Sequence, residues 1–80
     1  MKKKIVILGS TGSIGQNTLK ILKKNKKDFE ILLLSTNKNI NKIYKQAKEF
    51  KVKNIIINDH KKFIQAKLKF KNTKIDIFNS

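Results

Sequence analysis

Every glycine of the chain stands in one register. Lys4 to Gly15 reads Lys-Ile-Val-Ile-Leu-Gly-Ser-Thr-Gly-Ser-Ile-Gly, with Gly9, Gly12 and Gly15 at three-residue spacing. Ile5, Val6, Ile7 and Leu8 form an uninterrupted apolar run rich in β-branched residues, the pattern of a strand buried on both faces of a parallel sheet. Lacking a Cβ, the backbone can turn tightly at Gly9, come close to a pyrophosphate at Gly12, and let the following helix pack against the strand at Gly15. This is a variant of the dinucleotide-binding fingerprint, with two residues instead of one between the first two glycines. Free N–H groups at the start of the helix, helped by its dipole, then face the phosphates. A turn that needs glycine for geometry alone is the competing reading. The strand before, the helix after and a second strand at βαβ distance favour the phosphate site.

Beyond the turn, apolar periodicity switches repeatedly between helix and strand. A first helix is expected from Gly15 to about Lys27, with Ile14, Thr18, Ile21 and Leu22 on one face and Lys20, Lys23, Lys24 and Lys27 mostly outward. Phe29 to Leu34 is a second buried run, reached by a right-handed crossover, and Ser35 to Asn39 is the loop after it. Ile40, Ile43, Tyr44, Ala47 and Phe50 mark an amphipathic helix that Asn39 can cap. Asn54 to Ile57 is a third strand. Asn58, Asp59 and His60 form a turn, with Asp59 as a cap for a helix through Phe63, Ile64, Ala66, Leu68 and Phe70, and Ile75 to Phe78 is a fourth strand. The order βαβαβαβ predicts an α/β fold with a Rossmann-like parallel sheet in the order 3-2-1-4. That order places the first two helices on one face and the third on the other. A ligand is then expected over Gly9 to Gly15, near Asn79.

Composition removes several function classes. The chain has no cysteine, so a disulfide framework and a thiolate metal site are excluded. Its one histidine and five carboxylates are scattered, and no metal-ligand cluster is visible. The basic start, Met1 to Lys4, is followed by an apolar run too short for a signal core or a membrane span, which makes a soluble, reducing compartment the expectation: the cytoplasm, or an organelle where a targeting segment has been removed. The formal charge of +15 raises nucleic-acid binding as an alternative. All twenty basic residues are lysine, however, whereas base and phosphate readers favour the bidentate fork of arginine. The lysines also run from Lys2 to Lys74 over every helix, as on a solvated surface. No specific nucleic-acid or membrane partner is therefore expected.

At this point the residues resemble a known family. Lys4 to Gly15, then Thr18-Leu19, Phe29 and Lys38-Asn39 opening a helix, are similar to the amino-terminal end of 1-deoxy-D-xylulose 5-phosphate reductoisomerases. The resemblance is strongest over Lys4 to Gly15 and thins after Asp59. It implies an oxidoreductase dependent on NADPH and on a divalent metal (magnesium or manganese), converting a pentulose phosphate to 2-C-methyl-D-erythritol 4-phosphate in non-mevalonate isoprenoid biosynthesis. It also implies that residues 1–80 are the first part of an NADP-binding domain, that the complete enzyme is a homodimer, and that catalytic residues and metal ligands belong to later segments. The cofactor-binding residues carried over are Thr11, Gly12, Ser13 and Ile14 in the turn, beside Gly9 and Gly15, and Lys38 and Asn39 after the second strand. Asn37 stands where relatives often have glycine; it can adopt a left-handed conformation, and its side chain lies close to where the ribose is expected.

Read singly, most of these residues have a plainer role as well. Thr11 and Ser13 can offer hydroxyls to phosphate or merely cap the helix, and Asn39 can cap with or without touching cofactor. Lys38 gains meaning from its place after the second strand. His60 is expected to be a solvated turn residue, and Tyr44 and Phe50 core residues. Other NADP-linked dehydrogenases with this glycine spacing, and a stand-alone dinucleotide-binding module, remain alternatives. The stretch Ser35-Thr36-Asn37-Lys38-Asn39 has no carboxylate. NAD-selective sites place one there to hold the ribose 2′-hydroxyl, so NADP(H) is the expected dinucleotide.

Overall fold

The computed structural model describes residues 2–80. Its elements run β1 (Lys3–Ile7), α1 (Ser13–Lys23), β2 (Phe29–Thr36), α2 (Ile40–Phe50), β3 (Asn54–Ile57), α3 (His60–Lys69) and β4 (Asp76–Phe78). All three strand pairings are parallel, as the alternation with helices requires.

The strand order is 1-2-3-4, not 3-2-1-4. Each right-handed crossover therefore steps the same way across the sheet, which puts all three helices on one face. The side chains agree. Lys23 of α1 pairs with Glu49 of α2, and Tyr44 of α2 meets Phe70, just past α3, edge to face at 5.1 Å. One core joins Ile7, Ile31, Leu34, Ile55 and Ile57 from the strands to Leu19, Leu22, Ile43, Ala47 and Ala66 from the helices. Leu34, Ile43, Ile55 and Ile57 are fully buried, each contributing roughly 1.5–3 kcal/mol of hydrophobic stabilisation.

The opposite sheet face is open. Val6 and Leu8 are 51% and 71% exposed, against the expectation that Ile5 to Leu8 is buried on both faces. Phe78, at the far edge, is also exposed.

Local signals explain the helix boundaries. Asn39 caps α2 by accepting from Lys42 N–H at 3.2 Å, and Asp59 caps α3 by accepting from Lys62 N–H at 3.0 Å. The end of α2 is unusual. Lys51 takes a left-handed conformation with φ 56°, and Val52 N–H closes on Ala47 O at 2.9 Å.

The rotation of α1 differs from the predicted face. Gly15, Leu19 and Leu22 point inward, while Ile14 and Ile21 are exposed. Gly15 decides this. A Cβ there would overlap Gly9 O and stand 2.6 Å from Ser10 Cα, so Gly15 must face the turn, and Leu19 and Leu22 follow at helical spacing. In α3, Ile64 and Leu68 likewise point to solvent, leaving Ala66, with Phe70 beyond the helix, in the core.

β2 extends two residues further than its apolar run. Ser35 and Thr36 were expected in a loop, but they pair with Ile56 and Ile57 and are buried. Their hydroxyls find partners in the site described next, which is what makes that burial tolerable.

Candidate functional site

The glycine turn and the segment after β2 lie side by side because β1 and β2 are adjacent strands. Gly9, at φ 68°, supplies the left-handed step that ends β1. Gly9 N–H donates to Ser35 Oγ at 2.8 Å, and Ser10 N–H donates to Ser35 O at 2.9 Å. Thr11 Oγ1 shares a hydrogen bond of 2.7 Å with Thr36 Oγ1, which also accepts from Asn39 N–H at 3.3 Å. A continuous chain of hydrogen bonds thus runs from the turn to the start of α2.

These bonds redistribute the predicted roles. Thr11 does not cap α1. The N-cap is Gly12, without a side-chain cap bond, and the first intrahelical bond runs from Gln16 N–H to Gly12 O. The amides of Ser13, Ile14 and Gly15 therefore have no carbonyl partner within the helix. They form a donor cluster at the positive end of the α1 dipole, with Ser13 and Ile14 open to solvent. At Gly12 a Cβ would meet only Gly9 O, at an ordinary 3.5 Å, so folding does not demand glycine there. Ser35 Oγ accepts from Gly9 N–H, Thr36 Oγ1 bonds Thr11 Oγ1, and both residues are buried, so neither hydroxyl is displayed to a phosphate.

Asn37, Lys38 and Asn39 are all exposed at the rim, beside the glycine turn. Asn37 is not left-handed; among the described residues other than glycine, positive φ occurs at Lys51. Its carbonyl instead accepts from Asp59 N–H at 2.9 Å, which joins the loops after β2 and β3. Lys38 borders a hollow of about 570 Å³ between the start of α2 and α3, where Asn39, Lys62 and Lys69 also reach the wall. The sequence pattern gave no reason to group these α3 lysines with Lys38, since only the pairing of β2 with β3 brings α3 alongside. A larger hollow of about 640 Å³, near Leu22, Phe29 and Phe50, lies at the other end of the sheet and touches none of the glycine turn.

Asn79 does not join the site. With β4 at the far edge, three strand spacings or about 14 Å from β1, its side-chain amide donates to Ile57 O and Asn58 O at 2.9 and 3.1 Å. His60 sits exposed beside Asn79 Oδ1 at 3.4 Å, with no nucleophile in that contact. Tyr44 and Phe50 are half-buried against the core, as their helical spacing suggested. Among the described residues no group of three His, Cys, Asp or Glu side chains can hold a metal ion, and no helix is long and apolar enough to cross a membrane.

Comparison with known proteins places this geometry in context. Residues 5–79 match the family model described as 1-deoxy-D-xylulose 5-phosphate reductoisomerase. The enzyme of that name from Pelagibacter ubique is 50% identical over 78 residues, which are 98% of this chain and 20% of the relative. The Zymomonas mobilis reductoisomerase, solved in complex with NADPH, superposes with a TM-score of 0.92 at 24% identity, covering all of this chain and 21% of that one; this likeness bears on the fold. A second reductoisomerase structure, holding NADPH, fosmidomycin and magnesium, gives a TM-score of 0.90 at 26% identity over 98% of this chain and 19% of its own. The chain thus spans about a fifth of the length of the relatives it matches.

Proposed function

The chain belongs to the 1-deoxy-D-xylulose 5-phosphate reductoisomerase family, and from that premise we propose that residues 1–80 are the NADPH-binding start of an enzyme converting 1-deoxy-D-xylulose 5-phosphate to 2-C-methyl-D-erythritol 4-phosphate. The observation that carries this reading is the uncapped start of α1 beside a segment free of carboxylates. The amides of Ser13, Ile14 and Gly15 take the pyrophosphate, and Gly12 leaves room for it. Thr11 and Gly9 hold the turn's shape through Thr36 and Ser35. Lys38 supplies the positive charge for the 2′-phosphate, with Asn37 and Asn39 at the ribose. Asp59, on the next loop, does not oppose this, since its carboxylate is turned to the cap of α3.

NADPH supplies the hydride for the reductive half of the reaction. The residues of this chain bind and orient it and take no part in proton transfer. Among the described residues no ligand set for magnesium occurs, and metal binding and the sugar-phosphate site are assigned to the other four-fifths of the length of the relatives. Homodimerisation and a cytoplasmic setting belong to the same reading.

Fluorescence titration of the 80-residue chain with NADPH tests the proposal. Saturable binding that is lost in Gly12→Ala, while the melting temperature holds, is the expected result. Absence of binding by the unmutated folded chain, or wild-type affinity in Gly12→Ala, contradicts it.

A further inference from the structure

We propose that Gln46 is a positioning residue for the nucleotide site, a clamp on α2 that holds the Gly9–Gly12 turn in its phosphate-accepting form; the proposal rests on the NADPH reading. Gln46 is only 9% exposed and lies between the core residues Ile43 and Ala47. Both ends of its carboxamide go to one residue of the turn. Oε1 accepts from Ser10 Oγ at 2.7 Å, and Nε2 donates to Ser10 O at 2.9 Å. Ser10 is itself fully buried, and its hydroxyl also lies 3.3 Å from Ser35 O.

An apolar side chain would fill the same space without desolvating an amide. What an apolar residue cannot do is fix the plane of the Ser10 peptide. That peptide sits between Gly9, which is left-handed, and Thr11, which is tied to Thr36, so fixing it fixes the turn on both sides. The clamp also sets a distance. Lys38 and the cap Asn39 lead directly into α2, and Gln46 lies about two turns along it, so the helix spaces the 2′-phosphate end of the site from the pyrophosphate turn.

Gln46→Met keeps the bulk and removes both hydrogen bonds. In the ligand-free chain it should speed amide exchange at Gly9 and Ser10 at least tenfold relative to the amides of β3. It should weaken NADPH and NADH by the same factor, about tenfold, because the turn serves the pyrophosphate common to both. Val52→Ala, a core truncation remote from the turn, serves as the stability control; if it lowers the melting temperature comparably, it should leave both affinities unchanged. Gln46→Glu provides a rescue. As the neutral acid it can accept from Ser10 Oγ and donate to Ser10 O, whereas the carboxylate sets oxygen against Ser10 O. Burial disfavours the charged form, so its NADP⁺ affinity, taken as a ratio to wild type at each pH, should be higher at pH 5 than at pH 8. Lys20 and Lys23 of α1 and Glu49 of α2 line the groove beside Gln46 and are common to both proteins, as is the nucleotide, so the ratio isolates the residue at position 46. Wild-type exchange or wild-type nucleotide affinity in Gln46→Met overturns the clamp, as does a ratio of one for Gln46→Glu at pH 8. Failure of the unmutated chain to bind either nucleotide refutes the NADPH reading itself, which the titration of the unmutated chain reports separately.

Discussion

Substituting alanine at each glycine of the turn separates three physical demands that the sequence presents as one motif. At Gly15 the new Cβ would overlap Gly9 O and lie 2.6 Å from Ser10 Cα, so α1 must move away from backbone atoms that cannot rotate aside. Overpacking of this kind costs roughly 1–3 kcal/mol where side chains can yield, and more where backbone must. A single core this small supplies at most about 3–5 kcal/mol, so Gly15→Ala should leave much of the population unfolded. At Gly9 there is open space for a Cβ, and the cost is the left-handed φ of 68°, about 1–2 kcal/mol for an L-residue. At Gly12 the backbone is extended and the nearest contact is 3.5 Å, so alanine should change stability by less than about 1 kcal/mol. Urea unfolding followed by circular dichroism gives all three values. The expected ranking of loss is Gly15, then Gly9, then Gly12. Equal losses at Gly12 and Gly15 would refute the reasoning, because they would mean that the motif acts as a unit and not through three separate contacts.

Three further outcomes follow from single features. Lys51→Gly should relieve the left-handed strain at the end of α2 and raise stability by about 0.5–1 kcal/mol, a rise of a few degrees in Tm for a domain of this size, readable by thermal melting. The hydrogen bond from Lys23, at 2.7 Å, holds the Glu49 carboxyl below the usual carboxylate range; desolvation opposes it, and the charges of Lys23 and Lys26 add to it. Its folded pKa being depressed, its contribution is present above the unfolded pKa and fades as pH falls through the folded one. For an exposed pair this is at most about 0.5 kcal/mol, so a Lys23→Met variant should lose that increment near pH 7 and match wild type at strongly acidic pH. Nucleic-acid binding by the lysine-rich surface should be non-specific, micromolar or weaker at physiological salt, and steeply reduced as salt rises; a competition gel shift showing sequence preference would contradict it.

Which elements exist, and of which type, was legible because apolar residues recur at two clear periods; Ile40 through Phe50 and Asn54 to Ile57 match their predicted spans. Strand order was not legible. Periodicity says which face of an element is apolar and nothing about which strand lies beside it, so 3-2-1-4 was inferred from fold analogy and Asn79 was placed at the wrong edge. The inward face of α1 was misjudged because Ile14 and Ile21 are apolar, whereas its rotation is decided by the close approach of Gly15 to Ser10. Ser35 and Thr36 read as loop because they are polar, and nothing in the spacing of α2 singles out Gln46. Each is buried because a partner more than twenty residues away in sequence satisfies it, a pairing that no local pattern reveals. The residues of the turn and Asn37 to Asn39, named from spacing and family resemblance, lie side by side because adjacent parallel strands end at the same level.

If this site takes NADPH in preference to NADH, calorimetric titration of the chain with both nucleotides reads that preference outright. A charge-assisted contact from Lys38 to the 2′-phosphate is worth roughly 1.5–3 kcal/mol, or about tenfold to a hundredfold in affinity. Lys38→Glu should therefore weaken NADPH binding far more than NADH binding, while Lys45→Glu, about two turns further along α2, should affect the two alike. The unmutated chain should bind NADPH more tightly than NADH, and that preference should collapse in Lys38→Glu. Equal affinities for NADPH and NADH in the unmutated chain would contradict it.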